Sequence, residues 1–384
     1  MEICGVICEL NPAHNGHKYI FEEARRITGA DYIIAAMSGD YVQRGEPAVI
    51  DKYSRTKMAL SLGADAVIEL PGIFATGSAQ YFARGAVSLL AKAGVRCIVF
   101  GSENGNIDSI KKISREQSDV RQEPNDILGI EYIKAIEYLG VDIKPYAVKR
   151  LGAGYNDKIV KDDKYSSAGF IRDIILEKQT VTCSDGLCRA AGVDFEKVMP
   201  TEVCEILSQA FSCVNPVSVK DFDQILFYRL NSLSCIGYSS FFDVFDDLSD
   251  KIKKNLRNYK SFEKYCAFLK SRDIALSHLR RALLHILLGY TDEMVQKAVD
   301  NDYFVYMRLL GFKSISGELI SELSMNKDYP LITCHADLDR INEGWVREII
   351  DADVSAADLY TFISMKGDNG GIIRNDFSCP MIKL

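Results

Sequence analysis

The first half of the chain alternates short apolar runs with longer amphipathic segments. The apolar runs have the length of strands, and the segments between them repeat their apolar positions with the period of a helix. This alternation indicates an α/β fold with a doubly wound parallel sheet. We predict strands at 3–10, 32–37, 66–70, 96–100 and 144–150, and helices at 17–28, 52–62, 79–93, 128–139 and 169–178.

The pattern changes near residue 180, where strand signals become rare and long helical periods take over. At 384 residues the chain is long for one core, so two domains are expected. We predict an α/β domain over 1–180 and a mostly α-helical domain over 181–384. A return of the last segment to the first domain is the alternative for the end of the chain. The predicted helices of the second half are 201–212, 220–231, 261–270, 276–289, 292–299 and 303–310.

Composition narrows the class of protein. Hydrophobic residues make up 47% of the chain and charged residues 26%, which is typical of a globular protein and excludes wholesale disorder. No signal peptide is evident, and no run approaches the roughly 18 apolar residues of a spanning helix. We therefore expect a cytoplasmic protein with no membrane partner.

The eleven cysteines do not indicate a metal site. Most stand singly in apolar runs, as Cys97 does in VRCIVF, where a reduced thiol behaves as a small hydrophobic side chain. The pair Cys183 and Cys188 lacks the two-residue spacing of a zinc knuckle and has no partner pair. We expect no metal bound by cysteine.

Charge is distributed unevenly along the chain. Segment 251–281 holds ten basic residues and two acidic ones, so it carries +8 and the rest of the chain −15, giving the net −7. Such a basic segment in an acidic chain is typical either of a surface for a polyanion or of a solvated helix face.

The sequence NPAHNGH (11–17) follows the first predicted strand and contains two of the five histidines. Ligands of open parallel sheets bind beyond the carboxyl ends of the strands, where a following helix offers unpaired N–H groups to phosphate. Gly16 would let the backbone approach a ligand, and His14 and His17 could both donate to one anion. A lone His-x-x-His is more often a surface coincidence or a metal-ligand spacing, but strand, turn and helix together favour phosphate.

The histidine motif and several longer segments resemble a known family. His-Asn-Gly-His after a first strand resembles the signature of the HIGH-type nucleotidyltransferases, which have a Rossmann-like fold. Longer segments are similar, in order and spacing, to the bacterial tRNA(Met) cytidine acetate ligases. These segments are MSGDYVQRGEPAVIDKYSRTKMAL (37–60), GADAVIELP (63–71), FGSENG (100–105), AGYND (153–157), SSAGFIR (166–172), SRDIALSHLRRALLHILLGY (271–290) and DYPLITCHAD (328–337).

The resemblance implies a specific reaction, which composition and spacing alone do not indicate. Enzymes of this family use ATP to convert acetate to acetyl-adenylate, releasing pyrophosphate. They then transfer the acetyl group to the wobble cytidine of elongator tRNA(Met), giving N4-acetylcytidine. ATP would therefore be a co-substrate, Mg²⁺ is expected to accompany it without an identified protein ligand, and acetate and tRNA(Met) would be the partners.

The resemblance also implies which residues bind ATP, with His14 and His17 as the catalytic pair at the phosphates. Gly101 is equally well explained as a turn glycine at a strand end. Gly169 stands where the family usually has a small hydroxyl residue, and Leu10 and Ala13 replace larger residues. The implied ATP-binding residues are Ile7, Cys8, Glu9, Leu10, Asn11, Pro12, Ala13, His14, Asn15, Gly16, His17, Lys18, Tyr19, Ile20, Gly101, Asn156 and Arg172.

The loop after the second strand, SGDYVQRGEP, offers Asp40, Gln43 and Arg44 as an acceptor pocket for acetate or cytosine. A capped, solvated loop is the alternative. Lys52 and Arg55, at the start of the next helix, are expected to face solvent or RNA.

The resemblance implies an RNA-binding role for the basic segment, because lysine and arginine side chains position RNA by contacting its phosphates. Candidate tRNA contacts are Lys251, Lys253, Lys254, Arg257, Arg280 and Arg281, with the last two favoured. Two other functions remain open: a small-molecule cofactor adenylyltransferase, and a catalytically silent nucleotide- or RNA-binding relative.

Overall fold

The computed structural model describes residues 1–115, 123–151, 167–178, 182–184, 187–190, 193–325, 329–366 and 375–384. The strands are β1 (Ile3–Cys8), β2 (Tyr32–Ser38), β3 (Tyr41–Val42), β4 (Glu46–Pro47), β5 (Ala66–Leu70), β6 (Cys97–Ser102), β7 (Lys144–Lys149), β8 (Thr182–Ser184), β9 (Leu187–Ala190), β10 (Val193–Asp194), β11 (Met307–Phe312), β12 (Leu331–Ile332) and β13 (Ile382–Lys383).

Helices connect these strands and fill most of the C-terminal half. The α-helices are α1 (Asn15–Thr28), α2 (Lys52–Leu62), α3 (Gly72–Ala75), α4 (Ala79–Lys92), α5 (Ile107–Arg115), α6 (Pro124–Leu139), α7 (Ala168–Lys178), α8 (Thr201–Cys213), α9 (Asp223–Leu233), α10 (Asp246–Asn255), α11 (Phe262–Leu269), α12 (Leu276–Leu288), α13 (Asp292–Asp300), α14 (Gly317–Ser324) and α15 (Gly344–Ser364). Short 3₁₀ turns cover Phe195–Lys197, Val219–Phe222, Leu256–Asn258, Ser314–Ser316, His335–Arg340 and Asp376–Ser378.

The main sheet has the strand order β12-β11-β5-β2-β1-β6-β7, and β13 also pairs with β11. Strands β5, β2, β1, β6 and β7 all run parallel, so their carboxyl ends meet at one edge. The chain order reverses at β1, whose neighbours are β2 and β6. The predicted doubly wound α/β fold is confirmed, and the crevice expected of such a sheet lies beyond β1 and β6.

One predicted element is wrong. Residues 303–310 were expected to form a helix, but the segment turns into β11 (Met307–Phe312), which pairs antiparallel with β5. Tyr303 through Leu310 are all buried. A run that is apolar on every side carries no period, so it cannot distinguish a buried strand from a buried helix.

The core lies on both faces of the sheet, as the two-residue period of the strands requires. Ile34 and Ala36 face α4, α6 and the C-terminal helices, whereas Ile33, Ala35 and Met37 face α1, α2 and α8. The C-terminal helices share an apolar cluster with the sheet. Strand β11 extends the sheet itself, so the last part of the chain returns to the first half. The division at residue 180 stays a prediction.

None of the helices in the described ranges combines the length and the apolar composition that crossing a membrane requires.

Candidate active site

The carboxyl end of β1 leads directly into the histidine turn. His14 is the N-cap of α1, and its backbone is extended (φ −153°, ψ 177°). The rings of His14 and His17 lie 4.0 Å apart between centroids, so the structure brings the two predicted imidazoles together at the crevice. His14 is nearly buried, and His17 is partly exposed.

Two hydrogen bonds fix the tautomer of each imidazole. The Nδ1 atom of His14 accepts the backbone N–H of Gly16 at 3.0 Å, and the Nδ1 atom of His17 accepts the backbone N–H of His14 at 3.2 Å. Each Nδ1 must therefore be unprotonated, which places the proton of a neutral ring on Nε2. The turn thus presents two Nε2–H donors on a fixed frame.

Both imidazoles are held neutral. Burial lowers the pKa of His14 well below its usual value, and the charges of Arg150 and Arg172 add to that effect. Burial, together with the charge of Arg150, lowers the pKa of His17 to about 3. At neutral pH the histidines therefore supply hydrogen bonds, and the positive charge of the crevice comes from the arginines.

Arg172 and Arg150 supply this charge from two other elements. Arg172, near the start of α7, donates to the carbonyl oxygen of Asn11 at 2.7 Å and pairs with Glu46 at 3.2 Å. Arg150 directly follows β7 and has Glu103 at 4.0 Å. Sequence reasoning missed Arg150, although its position at the end of a predicted strand was a usable signal.

The helix N-terminus does not offer free N–H groups, in contrast to the expectation. The backbone N–H groups of Asn15, Gly16 and His17 donate to Val198 O, His14 Nδ1 and His14 O. A phosphate would therefore be bound by side chains, with the helix dipole acting at longer range.

Gly16 also has a different role from the predicted one. A Cβ at Gly16 would lie 2.8 Å from Cε1 of His14. The glycine therefore makes room for the imidazole to fold back over the helix end, rather than for a ligand to approach the backbone.

Glu9, between β1 and the histidine turn, joins that turn to the loop after β2. One oxygen of its carboxylate accepts the backbone N–H of Gln43 at 2.9 Å, and its carbonyl oxygen accepts Nη1 of Arg55 at 2.8 Å. Gln43 and Arg44 are partly exposed beside this contact. They border the crevice, and their role in an acceptor pocket stays a prediction.

The side chains of Asp40, Lys52 and Arg55 make their contacts in the protein interior. The carboxylate of Asp40 accepts the backbone N–H of Lys52 at 2.7 Å and is nearly buried, so it faces the start of α2 instead of an open pocket. Burial raises its pKa to about 7. Lys52 and Arg55 are almost completely buried, which corrects the expectation that they face solvent or RNA. Arg55 donates to carbonyl oxygens of Ser38 and Ile50, tying strand ends to the helix.

Of the other predicted ATP-binding residues that the structure describes, some are buried and the others are partly exposed. Leu10, Asn11, Pro12 and Ala13 are buried beneath the turn, and Cys8 is buried in β1. A Cβ at Gly101 would lie 3.3 Å from the side chain of Arg150. Asn156 lies outside the described residues. Partly exposed positions are Ile7, Glu9, Asn15, Gly16, Lys18, Tyr19, Ile20, Gly101 and Arg172.

The basic segment contains both paired and unpaired charges. Arg280 bonds Glu263 at 2.9 Å, and Arg281 bonds Asp243 at 3.1 Å, so the two favoured residues are already compensated. Lys251 donates to the carbonyl oxygen of Leu269. Lys254 has Asp250 at 3.3 Å. Among the described residues, Lys253 and Arg257 are exposed and have no ion-pair partner.

Arg280 and Arg281 also lie next to the crevice. A Cβ at Gly45 (φ +74°) would come within 2.5 Å of the backbone nitrogen of Arg281. The loop after β2 therefore packs directly on α12, which connects the basic segment to Gln43 and Arg44.

Within the ranges that the structure describes, no group of three or more histidine, cysteine, aspartate or glutamate side chains could hold a metal ion.

Comparisons with known proteins indicate the family of the chain. The family described as HIGH Nucleotidyl Transferase matches residues 1–122 and 114–370. A protein of Thermoanaerobacter sp. described as tRNA(Met) cytidine acetate ligase is 34% identical, and the match covers 100% of both chains. A protein of Acetivibrio thermocellus with the same description is 31% identical over 94% of each chain.

Solved structures are similar over the whole chain as well. A crystal structure of apo Thermotoga maritima TmcAL has a TM-score of 0.87 and 28% identity, covering 100% of both chains. A second crystal structure of that protein, bound with alpha-thio ATP, has a TM-score of 0.85 and 27% identity with the same coverage.

Proposed function

Because the chain belongs to the tRNA(Met) cytidine acetate ligases of the HIGH nucleotidyl transferase family, and is thus a ligase, we propose that it acetylates the wobble cytidine of elongator tRNA(Met) in two steps. ATP and acetate first give acetyl-adenylate and pyrophosphate. The acetyl group then passes to N4 of the cytidine, and AMP leaves. The observation that carries this proposal is the pair of neutral imidazoles facing two arginines at the end of β1.

The crevice suits the first step. When an acetate oxygen attacks the α-phosphorus, negative charge grows on the phosphate oxygens and on the departing pyrophosphate. The Nε2–H groups of His14 and His17 and the guanidinium groups of Arg150 and Arg172 would stabilise that charge. Acetate is already ionised at pH 7, so this step needs no base.

A divalent cation would be bound mainly by the nucleotide. The described residues contain no cluster of ligating side chains, so Mg²⁺ would be held by the phosphates of ATP and would supply further positive charge there.

The tRNA would approach over α10 and α12. Lys253 and Arg257 are exposed and have no ion-pair partner among the described residues, and the packing of Gly45 on Arg281 brings this surface up to Gln43 and Arg44. Phosphate contacts at the basic segment would then position the anticodon loop, while the loop after β2 would receive the cytosine or the acetate.

The proposed function is tested by incubating the protein with ATP and labelled acetate, with and without tRNA(Met). Acetate-dependent pyrophosphate release followed by labelled N4-acetylcytidine is the expected result. Transfer of AMP to a mononucleotide would instead identify a cofactor adenylyltransferase. Binding of ATP without turnover would identify a silent relative.

Neutralising one exposed cation tests the approach of the tRNA. For the tRNA binding constant K, Lys253→Gln should reduce the magnitude of the negative slope of log K against log salt by about 0.7 to 0.9, because one phosphate contact is lost. The control is Lys134→Gln, which changes an exposed lysine on α6, away from α10 and α12, and should leave the slope unchanged. Equal slopes for the wild type and Lys253→Gln would remove this residue from the interface.

A further inference from the structure

The second step of the proposed function requires a group that accepts a proton. N4 of cytidine attacks the acetyl carbonyl as a neutral amine, and the nitrogen must lose one proton as the amide forms. The imidazoles of the crevice are unsuited to this task. Each Nδ1 already accepts a backbone N–H, and each Nε2 already carries a proton.

Most carboxylates near the crevice are also engaged. Glu46 pairs with Arg172 at 3.2 Å, and Glu103 has Arg150 at 4.0 Å while its Oε2 atom is buried. Asp40 accepts from the backbone of Lys52 in the interior. These interactions leave Glu9 as the carboxylate to consider.

Glu9 is held firmly and remains accessible. Its backbone is fixed by Arg55, and its Oε1 atom by the N–H of Gln43 at 2.9 Å. Oε2 makes no hydrogen bond within the described part of the chain, and there no cation lies within 4 Å of the carboxylate. The residue is partly exposed at the point where β1 enters the histidine turn.

The surroundings of Glu9 favour a proton acceptor. Burial raises its pKa, while the N–H of Gln43 and the charges of Arg172 and Arg44 oppose the rise and that of Glu46 supports it. Burial raises the pKa of the Tyr132 hydroxyl on α6, and the charge of Glu9 adds to that rise. A carboxylate with a raised pKa is a stronger base than one in water.

The charge of Arg172 acts on both Glu9 and His14. Arg172 donates to the carbonyl oxygen of Asn11 at 2.7 Å, between Glu9 and His14 in the chain, and its guanidinium would bind the adenylate phosphate. An acetyl group on that phosphate would lie beside Glu9.

We propose that Glu9 is the general base of the acetyl-transfer step. N4 forms a bond to the carbonyl carbon, and Oε2 of Glu9 takes the N4 proton. The bond between that carbon and the phosphate oxygen breaks, and AMP leaves with the electron pair. The proton passes from Glu9 to solvent when the products leave, so the overall products are N4-acetylcytidine, AMP and a proton.

Glu9→Gln separates a base from a residue that only positions the loop, because the amide oxygen still accepts the N–H of Gln43. The first step is followed by acetate-dependent exchange of pyrophosphate into ATP. The second is followed as a single turnover of preformed acetyl-adenylate with tRNA(Met). Glu22→Gln, at an exposed glutamate on α1, is the matched control.

We expect Glu9→Gln to exchange pyrophosphate within about twofold of the wild type and to transfer acetyl at least about 100-fold more slowly. Wild-type transfer should also slow as the pH falls through the pKa of Glu9, and the variant should lose this dependence. Transfer at the wild-type rate, or equal loss of both steps, would overturn the proposal.

If Glu9→Gln fails to fold, the pH dependence of acetyl transfer by the wild type is the test. A transfer rate that does not fall at acidic pH would overturn the role of Glu9. The inference rests on the proposed function but fails separately from it. Wild-type protein that shows no acetate-dependent exchange would contradict the proposed function, whatever Glu9 does.

Discussion

Two polar clusters lie at the same edge of the sheet and differ in how their charges are compensated. Beyond β2 and β5, Lys52 donates to Glu69 at 2.8 Å and to Asp376 at 2.7 Å, and Arg308 binds the same two carboxylates. Two cations and two anions are thus matched and buried. Beyond β1 and β6, the imidazoles are neutral, and in the described part of the chain Arg172 pairs with Glu46 while Arg150 has Glu103 at 4.0 Å.

The difference separates a structural site from a binding site. Burial alone would raise the pKa of Asp376, but the charges of Lys52 and Arg308 hold it well below its usual value. That cluster is complete without a ligand. Among the described residues the Nε2–H groups of His14 and His17 have no acceptor, so an anion bound there would complete this cluster.

The largest expected effect is on stability, at the matched cluster. Lys52→Met should lower the free energy of unfolding by about 3–5 kcal/mol, because two buried carboxylates lose a partner. Urea denaturation measures this, with Lys57→Met on the same helix as the control. ATP affinity of the folded variant should stay near that of the wild type. A stable variant that no longer binds ATP would reverse the assignment of the two clusters.

The next effect is on chemistry, at the crevice. His17→Ala should reduce turnover at least about 100-fold, because a donor to the developing charge is lost. Its stability should fall by only about 1 kcal/mol, the usual cost of a lost capping interaction. His335→Ala, at an exposed histidine away from the crevice, is the control. Turnover at the wild-type rate by His17→Ala would exclude His17 from the active site.

A pH titration sharpens the claim that the crevice histidines are neutral. In histidine-labelled protein, the NMR signal of His17, assigned from the His17→Ala variant, should not titrate between pH 8 and about pH 5, since its pKa is lowered to about 3. The unfolded chain takes up this proton near pH 6.5. The contribution of His17 to stability is therefore complete above about pH 6.5 and is lost as the pH falls below it. A midpoint near 6.5 for the folded protein would contradict neutrality.

The smallest expected effect is a gain. A Cβ at Gly169 would have 3.9 Å to Oγ of Ser167 and 4.0 Å to Nη2 of Arg172, so a serine fits there without a clash. Gly169→Ser should tighten ATP binding by about two- to tenfold through one added hydrogen bond. Calorimetric titration with ATP measures this, and Gly169→Ala controls for the change in helix propensity. Equal affinities of the two variants would place the position away from the phosphates.

The sequence predicted the elements that have a clear period and the residues that follow them. The strands of the first half, most helices and the meeting of His14 with His17 at the end of β1 all came from this pattern. Arg150 was missed because it was read as the last residue of a strand, although it is the first residue beyond β7.

Other predictions failed because they depend on contacts between distant segments. Lys52 looks like a solvent-facing residue of a helix, but it is buried against Glu69 and, from the last part of the chain, Asp376. Arg55 is buried because it donates to the carbonyl oxygens of Glu9 and Ser38. The first-turn N–H groups of α1 looked free, but one of them bonds Val198 from the second half. Pairing of this kind leaves no local pattern in the sequence.

The most direct test of the crevice is a crystal structure of the protein with an unreactive ATP analogue. The account predicts oxygens of the α-phosphate within hydrogen-bonding distance of Nε2 of His14 or His17, with the guanidinium groups of Arg150 and Arg172 facing the same triphosphate. A triphosphate bound in another cleft, or one that leaves both imidazoles without contact, would contradict it.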